Sequence, residues 1–272
     1  MRSAARRIIS VVLVALVAAA TLAPFLYMIA TALMDEFDVL RYPPQLLPAR
    51  PHPENFAIAL TALPFGRFFL NTAIFAGGVV VGQVATSAMA AYAFARLRFP
   101  GRDRVFMIYL SVLMVPVVVL LVPRFLIINA LGWVDTYAGL ISTELVSVWG
   151  IFLLRQFFLT IPRDLEDAAR LDGAGEWAVF WRVVLPLSKP ALATLAVLAF
   201  MDQWKSLLWP LVATRSAEMS VVEVGLASLH GLYYANWTYQ MAAAVTAVVP
   251  LVVLYFVAQK YFMREIELTG LK

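Results

Sequence analysis

The sequence predicts an all-α, polytopic membrane protein with six transmembrane helices and both termini on the cytoplasmic side. Three observations predict it. Of the 272 residues, 62% are hydrophobic and only 14% charged. Runs almost free of charge recur at lengths that cross a bilayer. Basic residues collect between alternate runs. Soluble chains carry about a quarter charged residues, and one core of this size does not hide so much apolar surface from water.

The spans follow in order. A helix crosses the hydrocarbon core with about 20 apolar residues. Residues 8–34 and 68–95 carry no charge, and residues 105–125 carry only Arg124. Residues 137–158 hold Glu144 and, near their inner end, Arg155; residues 190–212 hold Asp202 and Lys205. Residues 238–260 are charge-free up to Lys260. A helix that is apolar all round is stable in lipid and not in water. The first run exceeds the 7–15 residues or so of a signal-peptide core, so a retained helix is expected there.

Orientation follows from Lys and Arg in the flanking segments. Fifteen of the 21 basic residues fall on one side: Arg2, Arg6, Arg7, Arg96, Arg98, Arg102, Arg104, Arg155, Arg163, Arg170, Arg182, Lys189, Lys260, Arg264 and Lys272. Six fall on the other: Arg41, Arg50, Arg67, Arg124, Lys205 and Arg215. The richer side is cytoplasmic. The net charge of +4 is thus a topological bias and not a nucleic-acid footprint. The outer loop, residues 34–67, carries Pro43, Pro44, Pro48, Pro51 and Pro53 and reads as extended and turn-rich. The whole chain, 1–272, reads as one transmembrane domain.

The cytoplasmic loop at about 162–189 carries the most information. Pro162 suits the first turn of a helix, and Asp164, Glu166 and Asp167 complement the dipole there. Gly173 and Gly175 permit a turn. Trp177, Phe180, Trp181 and Val184 then recur at helical spacing, and Pro186 and Pro190 close that stretch. The product is a helix–turn–helix with a small-residue centre of Ala168, Ala169, Gly173 and Ala174. An interfacial amphipathic hairpin and a partner-docking hairpin both fit this pattern, and the acids argue against contact with anionic headgroups.

The order Leu165, Glu166, Asp167, Ala168, Ala169, Arg170, Leu171, Asp172, Gly173, Ala174, followed by Phe180, Leu185, Pro186 and Leu187, resembles the EAA loop of ABC-importer permeases. The nearest likeness is to the maltose-type, carbohydrate-uptake group. Pro24–Phe25, the stretch Ala90–Arg96 with Phe99, Pro100 and Gly101, and Trp209, Pro210 and Leu211 extend it over nearly the whole chain. The resemblance implies that Glu166, Asp167, Ala168, Ala169, Asp172, Gly173, Ala174, Leu185 and Pro186 couple the chain to an ATPase. It implies a multi-pass subunit of a prokaryotic inner membrane. It also implies ATPase subunits, a second permease that is a different chain, and an extracytoplasmic solute-binding protein as partners, with a sugar or sugar derivative as solute. Three departures stand out. Asp167 replaces the motif's second Glu, Lys205 stands where relatives often carry Asn, and the tail after Glu267 is short.

The residues that are missing fit this scheme. No Gly–Lys pair exists, so no phosphate-cradling GxxxxGK[ST] loop is present. ATP and Mg are expected in the partner ATPase and no cofactor in this chain. No GxSxG or HExxH signature supports an enzyme. Without cysteine, and with only His52 and His230, neither disulfide nor His/Cys metal chemistry is expected. An ion-driven secondary transporter is the alternative, and Glu144 would be its midplane carboxylate.

Ionisable groups at membrane depth are functional candidates. Glu144, Asp202, Gln203, Trp204 and Lys205 form a candidate substrate path, with Trp209 nearby. The competing reading is structural: Asp202 and Lys205, three apart on a helix, pair with each other, or Lys205 reaches the interface. Gly78 and Gly82 form a GxxxG that, with Ala85, offers a close-packing face within the subunit or toward a second permease.

Overall fold

The computed structural model describes residues 2–229 and 236–269, with side chains over 7–229 and 236–259. His230 and the last residues of the tail lie outside them. The described residues form helices and no strand, and they divide into two compact units.

The first unit comprises Met1–Gly66 and Gly225–Pro250. Helix α1 (Arg2–Ala32) leaves its apolar side chains, among them Leu13, Val14 and Val17, exposed all round, as a lipid-facing helix does. Its end is capped from afar. The buried Asn55 amide donates to the carbonyls of Ala32, at 3.0 Å, and Met34, at 2.9 Å, which answers carbonyls that a helix terminus leaves open. The proline-rich loop at 34–67 is less extended than its prolines suggest. Asp35 caps a short helix α2 (Glu36–Val39) by accepting from the Phe37 N–H. Pro53 then opens α3 (Glu54–Ala62), where its fixed φ suits a helix start. The unit closes with the first part of the long apolar helix α15 (Trp237–Thr269). Asn236 begins that helix, its side-chain oxygen accepting from the N–H groups of Thr238 and Tyr239.

The second unit comprises Arg67–Val224 and Leu251–Lys272. Its spine is α4 (Phe65–Arg96). Beyond a turn at Gly101, α5 (Arg102–Ser111) runs on as a 3-10 turn to Met114. The chain then bends by 95° into Val117–Ala130, which contains α6 (Leu121–Ala130). Pro116 stands at that bend and cannot donate to the preceding turn. The expected fourth span is likewise two pieces, α7 (Tyr137–Ser142) and α8 (Val148–Thr160). The break between them survives because α4 supplies donors. Gln83 Nε2 donates to the Glu144 carbonyl and Thr86 Oγ1 to that of Leu145, both at 2.8 Å. Non-helical backbone at membrane depth needs such partners.

The GxxxG of α4 faces the same break. A Cβ on Gly78 would come within 2.7 Å of Ile141, and one on Gly82 within 2.3 Å of Leu145. The small face therefore packs inside the subunit. The loop at about 162–189 forms α9 (Arg163–Leu171), then a continuous helical stretch Glu176–Leu187 made of α10 (Glu176–Val179), a π turn Phe180–Val184 and α11 (Leu185–Leu187). A bend of 76° leads into α12 (Lys189–Trp204). The expected fifth span is interrupted at Lys205–Leu207 and resumes as α13 (Leu208–Ala213), and α14 (Val222–Leu229) follows. Asn71, wholly buried, bonds the carbonyls of Glu218 and Ser220 and holds that loop against α4.

Candidate functional site

The hairpin of α9 to α11 is built from local rules. Pro162, at φ −59 and ψ 133, precedes α9, with Asp164 and Glu166 in the first turn and Arg170 in the last. The helix stops in a Schellman arrangement. Gly173 takes φ 88 and its N–H donates to the Arg170 carbonyl, while the Ala174 N–H donates to that of Ala169, both at 3.0 Å. An L side chain at that φ is strained, which accounts for glycine there. Ala169 and Ala174 meet the core beneath the turn.

That core joins Ala88, Ala91, Tyr92 and Ala95 of α4 to Leu154 and Phe158 of α8, Val179, Phe180 and Val184 of the hairpin, and Ala191 and Leu195 of α12. The Tyr92 and Phe180 rings lie 5.1 Å apart. Within lipid-bathed helices such contacts stabilise through packing, since lipid tails are as apolar as the core. The π turn comes immediately before Pro186, whose missing N–H disturbs the helical ladder.

Polar contacts complete the anchorage. The guanidinium of Arg96, the last residue of α4, lies 2.7 Å from the Glu166 carboxylate, both side chains being almost completely buried. Arg96 also donates to the Ile161 carbonyl at 2.7 Å. Arg170 meets Glu166 at 3.3 Å, Asp167 at 2.8 Å and Glu176 at 2.9 Å, and so crosses the turn. The Tyr92 hydroxyl donates to Glu176 at 2.6 Å. Hydrogen bonds from Arg170 first, then from Tyr92, hold the Glu176 carboxyl below its ordinary range.

The nine residues read as coupling positions therefore divide. Glu166, in the first turn of α9, is buried, with its carboxylate against Arg96 in the core. Asp167, Ala168, Asp172, Gly173 and Pro186 are exposed, and Ala169, Ala174 and Leu185 are half-buried. Leu171 (89% exposed), Trp177 and Trp181 are exposed as well. The sequence pattern assigned Trp177 and Trp181 to an apolar stripe and gave Leu171 no separate role.

The candidate path residues are gathered only in part. Glu144 lies in the α7–α8 break, where its carboxylate is paired with Arg124. The Arg124 guanidinium also lies 4.1 Å over the buried Trp209 ring, an arrangement favourable to a desolvated cation. Arg124 was counted among the outer basic residues, because its partner is remote in sequence. Among the described residues no ion pair joins Asp202 to Lys205, in contrast to the helical spacing. Lys205 stands past the end of α12, off the shared face, and Asp202 instead accepts a long 3.4 Å bond from Gln203. Trp204 is buried and stacks on Phe200 at 5.3 Å. Asp202 and Lys205 are exposed.

Comparison with known proteins gives a consistent result. Residues 83–268 match the family model described as binding-protein-dependent transport system inner membrane component. The chain is 35% identical over 249 residues, 89% of each chain, to the sn-glycerol-3-phosphate transport system permease protein UgpE of Yersinia pestis bv. Antiqua. It is 34% identical over 250 residues, again 89% of each, to the same-named protein of Rhizobium meliloti. A chain of a bacterial ABC transporter involved in the import of the acidic polysaccharide alginate matches with a TM-score of 0.81 at 27% identity, over 96% of this chain and 98% of that one. A chain from a bacterial alginate ABC transporter in complex with its pentasaccharide-bound periplasmic protein shares the fold, with a TM-score of 0.68 at 18% identity and 93% coverage of each.

Proposed function

This chain belongs to the family of inner membrane components of binding-protein-dependent transport systems, and from that premise we propose that its 163–187 hairpin is the lever through which an ATPase drives it. The chain is a permease subunit of an ABC importer, a multi-pass protein of the inner membrane and not an enzyme. The observation that carries the proposal is the hairpin's construction. Exposed apolar side chains, Leu171, Trp177 and Trp181, stand on a base locked to α4 by the buried Arg96–Glu166 pair. A surface so anchored moves with the span and not independently of it.

The remaining assignments follow the same reading. Six crossings at about 8–34, 68–95, 105–125, 137–158, 190–212 and 238–260 place both termini and the hairpin in the cytoplasm. Three helices are long and apolar enough to cross, the bent pair Arg102–Met114 and Val117–Ala130 and the Lys189–Trp204 arm of the second pair add two, and the shorter apolar α8 is the sixth in this reading. ATP and Mg bind the ATPase, a second permease completes the pathway, and a binding protein delivers solute from outside. The solute class is a sugar or sugar derivative bearing negative charge. The relatives are named for glycerol phosphate and for an acidic polysaccharide, and the exposed Lys205 brings a cationic group to the candidate path. An ion-driven transporter is disfavoured by the family and by Glu144's engagement with Arg124.

Co-purification tests the proposal. The ATPase is expected to accompany the wild-type chain and to be lost on Gly173→Asp. Retention of the ATPase by a correctly inserted Gly173→Asp chain would sink it.

A further inference from the structure

A second feature lies beside the hairpin and shares its first residue, Arg163. A cleft of about 850 Å³ opens between the end of α4, the start of α5 and α9. Arg98, Arg104 and Arg163 line it, all three exposed. Their guanidinium groups make no hydrogen bond or ion pair among the described residues, whereas Arg102 and Asp103 neutralise each other at 3.0 Å. The cleft therefore presents three uncompensated positive charges. Gly101, left-handed at φ 78, offers no side chain to cap α5, so the positive end of that helix faces the same space. Exposed apolar residues begin immediately beyond. Val105, Met107 and Ile108 run up α5, and Phe99 stands at the rim.

We infer that this cleft binds the phosphate headgroup of an anionic phospholipid of the inner leaflet, with the acyl chains lying along Val105, Met107 and Ile108. The cations supply the charge complementarity, and three arginine forks suit phosphate oxygens better than ammonium groups would. The unbroken passage from basic cleft to apolar helix face distinguishes a lipid from a free phosphate ion, which would use only the cleft. The inference takes from the proposed topology only the identity of the leaflet, and lipid retention is measured without transport.

The test uses the importer assembled with its ATPase and second permease, in phosphatidylcholine nanodiscs doped with phosphatidylglycerol. Native mass spectrometry then reads the lipid retained. The wild type is expected to keep phosphatidylglycerol over phosphatidylcholine. Arg98→Gln, Arg104→Gln and Arg163→Gln combined should lower that preference on the order of tenfold to a hundredfold, since each basic group near an anionic surface contributes several-fold. The matching triple Lys variant should keep most of it. An unchanged preference in the triple Gln variant overturns the assignment. So does displacement of the lipid by inorganic phosphate, which would make the cleft an ion site. Loss of the ATPase with lipid retention intact also overturns it, by assigning the arginines to the partner interface. If the triple Gln chain does not assemble, photoactivatable phosphatidylglycerol on the wild type decides. Labels at 98–108 and 163 support the site, and labels only elsewhere refute it.

Discussion

Arg96 and Glu166 form an ion pair at 2.7 Å with side chains 3% and 2% exposed, joining the last residue of the long apolar helix α4 to the first turn of α9. Two charges are taken out of water here; besides each other, Arg96 has the Ile161 carbonyl at 2.7 Å and Glu166 has Arg170 at 3.3 Å. Removing one leaves the other stranded, at a cost of about 3–5 kcal/mol. Glu166→Ala should therefore lower the thermal midpoint of the purified complex, by on the order of 10 °C. Arg96→Met with Glu166→Leu should recover much of the loss, since an apolar pair of similar volume often replaces a buried ion pair without penalty. A midpoint unmoved by Glu166→Ala would show that the pair anchors nothing.

The two glycines of the turn differ in kind. Gly173 has φ 88 and Gly175 φ −73, and a Cβ on either meets nothing within 4 Å. Gly173→Ala should cost about 1–2 kcal/mol through backbone strain alone. Gly175→Ala should be neutral or slightly stabilising. Hydrogen exchange in the last turn of α9 checks both: roughly tenfold faster for the first, given 1.4 kcal/mol per factor of ten, and unchanged or slower for the second.

Acid should loosen the crosspiece of the hairpin. The Glu176 carboxyl is held below its ordinary value by Arg170 and Tyr92. A carboxyl with a depressed folded pKa contributes stability above its unfolded pKa, near 4.5, and loses it as pH falls through the folded value. Order in the hairpin should be constant through neutral pH and decline only below about 4.5. The gain is small, because Glu176 is half exposed. The chain has no cysteine, so a spin label at Gly175→Cys reports the change. Glu176→Gln should abolish the acid step, and a step at the same pH in that variant contradicts the assignment.

Leu171 is 89% exposed and bears none of the fold. Leu171→Ser should leave the thermal midpoint of the isolated chain unchanged while weakening ATPase association on the order of tenfold to a hundredfold, the cost of un-burying one leucine at about 1.5–3 kcal/mol. Titration of the ATPase against the reconstituted chain measures it. Undiminished affinity would remove Leu171 from the interface.

The hairpin was legible because its rules are local. Pro162, the first-turn acids and Gly173 each mark a helix boundary within a few residues of itself. The inward turn of Glu166 was not legible. Its neighbours Leu165 and Asp167 are exposed, and its partner Arg96 sits on another helix. The breaks within the expected third, fourth and fifth spans were hidden by the same cause. A long apolar run looks continuous, and only the fold shows that Gln83 and Thr86 answer the carbonyls at one break. Prolines mark the two sharp bends, Pro116 at one and Pro186 and Pro190 about the other. The Arg124–Glu144–Trp209 cluster was half visible, through a carboxylate at membrane depth without its counter-charge.

ATP-driven uptake tests the central claim most directly. The chain is reconstituted in proteoliposomes with its ATPase and second permease, and the binding protein is supplied outside, loaded with an anionic sugar derivative. Uptake is expected to require ATP, to persist when ion gradients are collapsed, and to fail with Glu166→Ala. Uptake that proceeds without ATP and vanishes with the ion gradient would contradict the account.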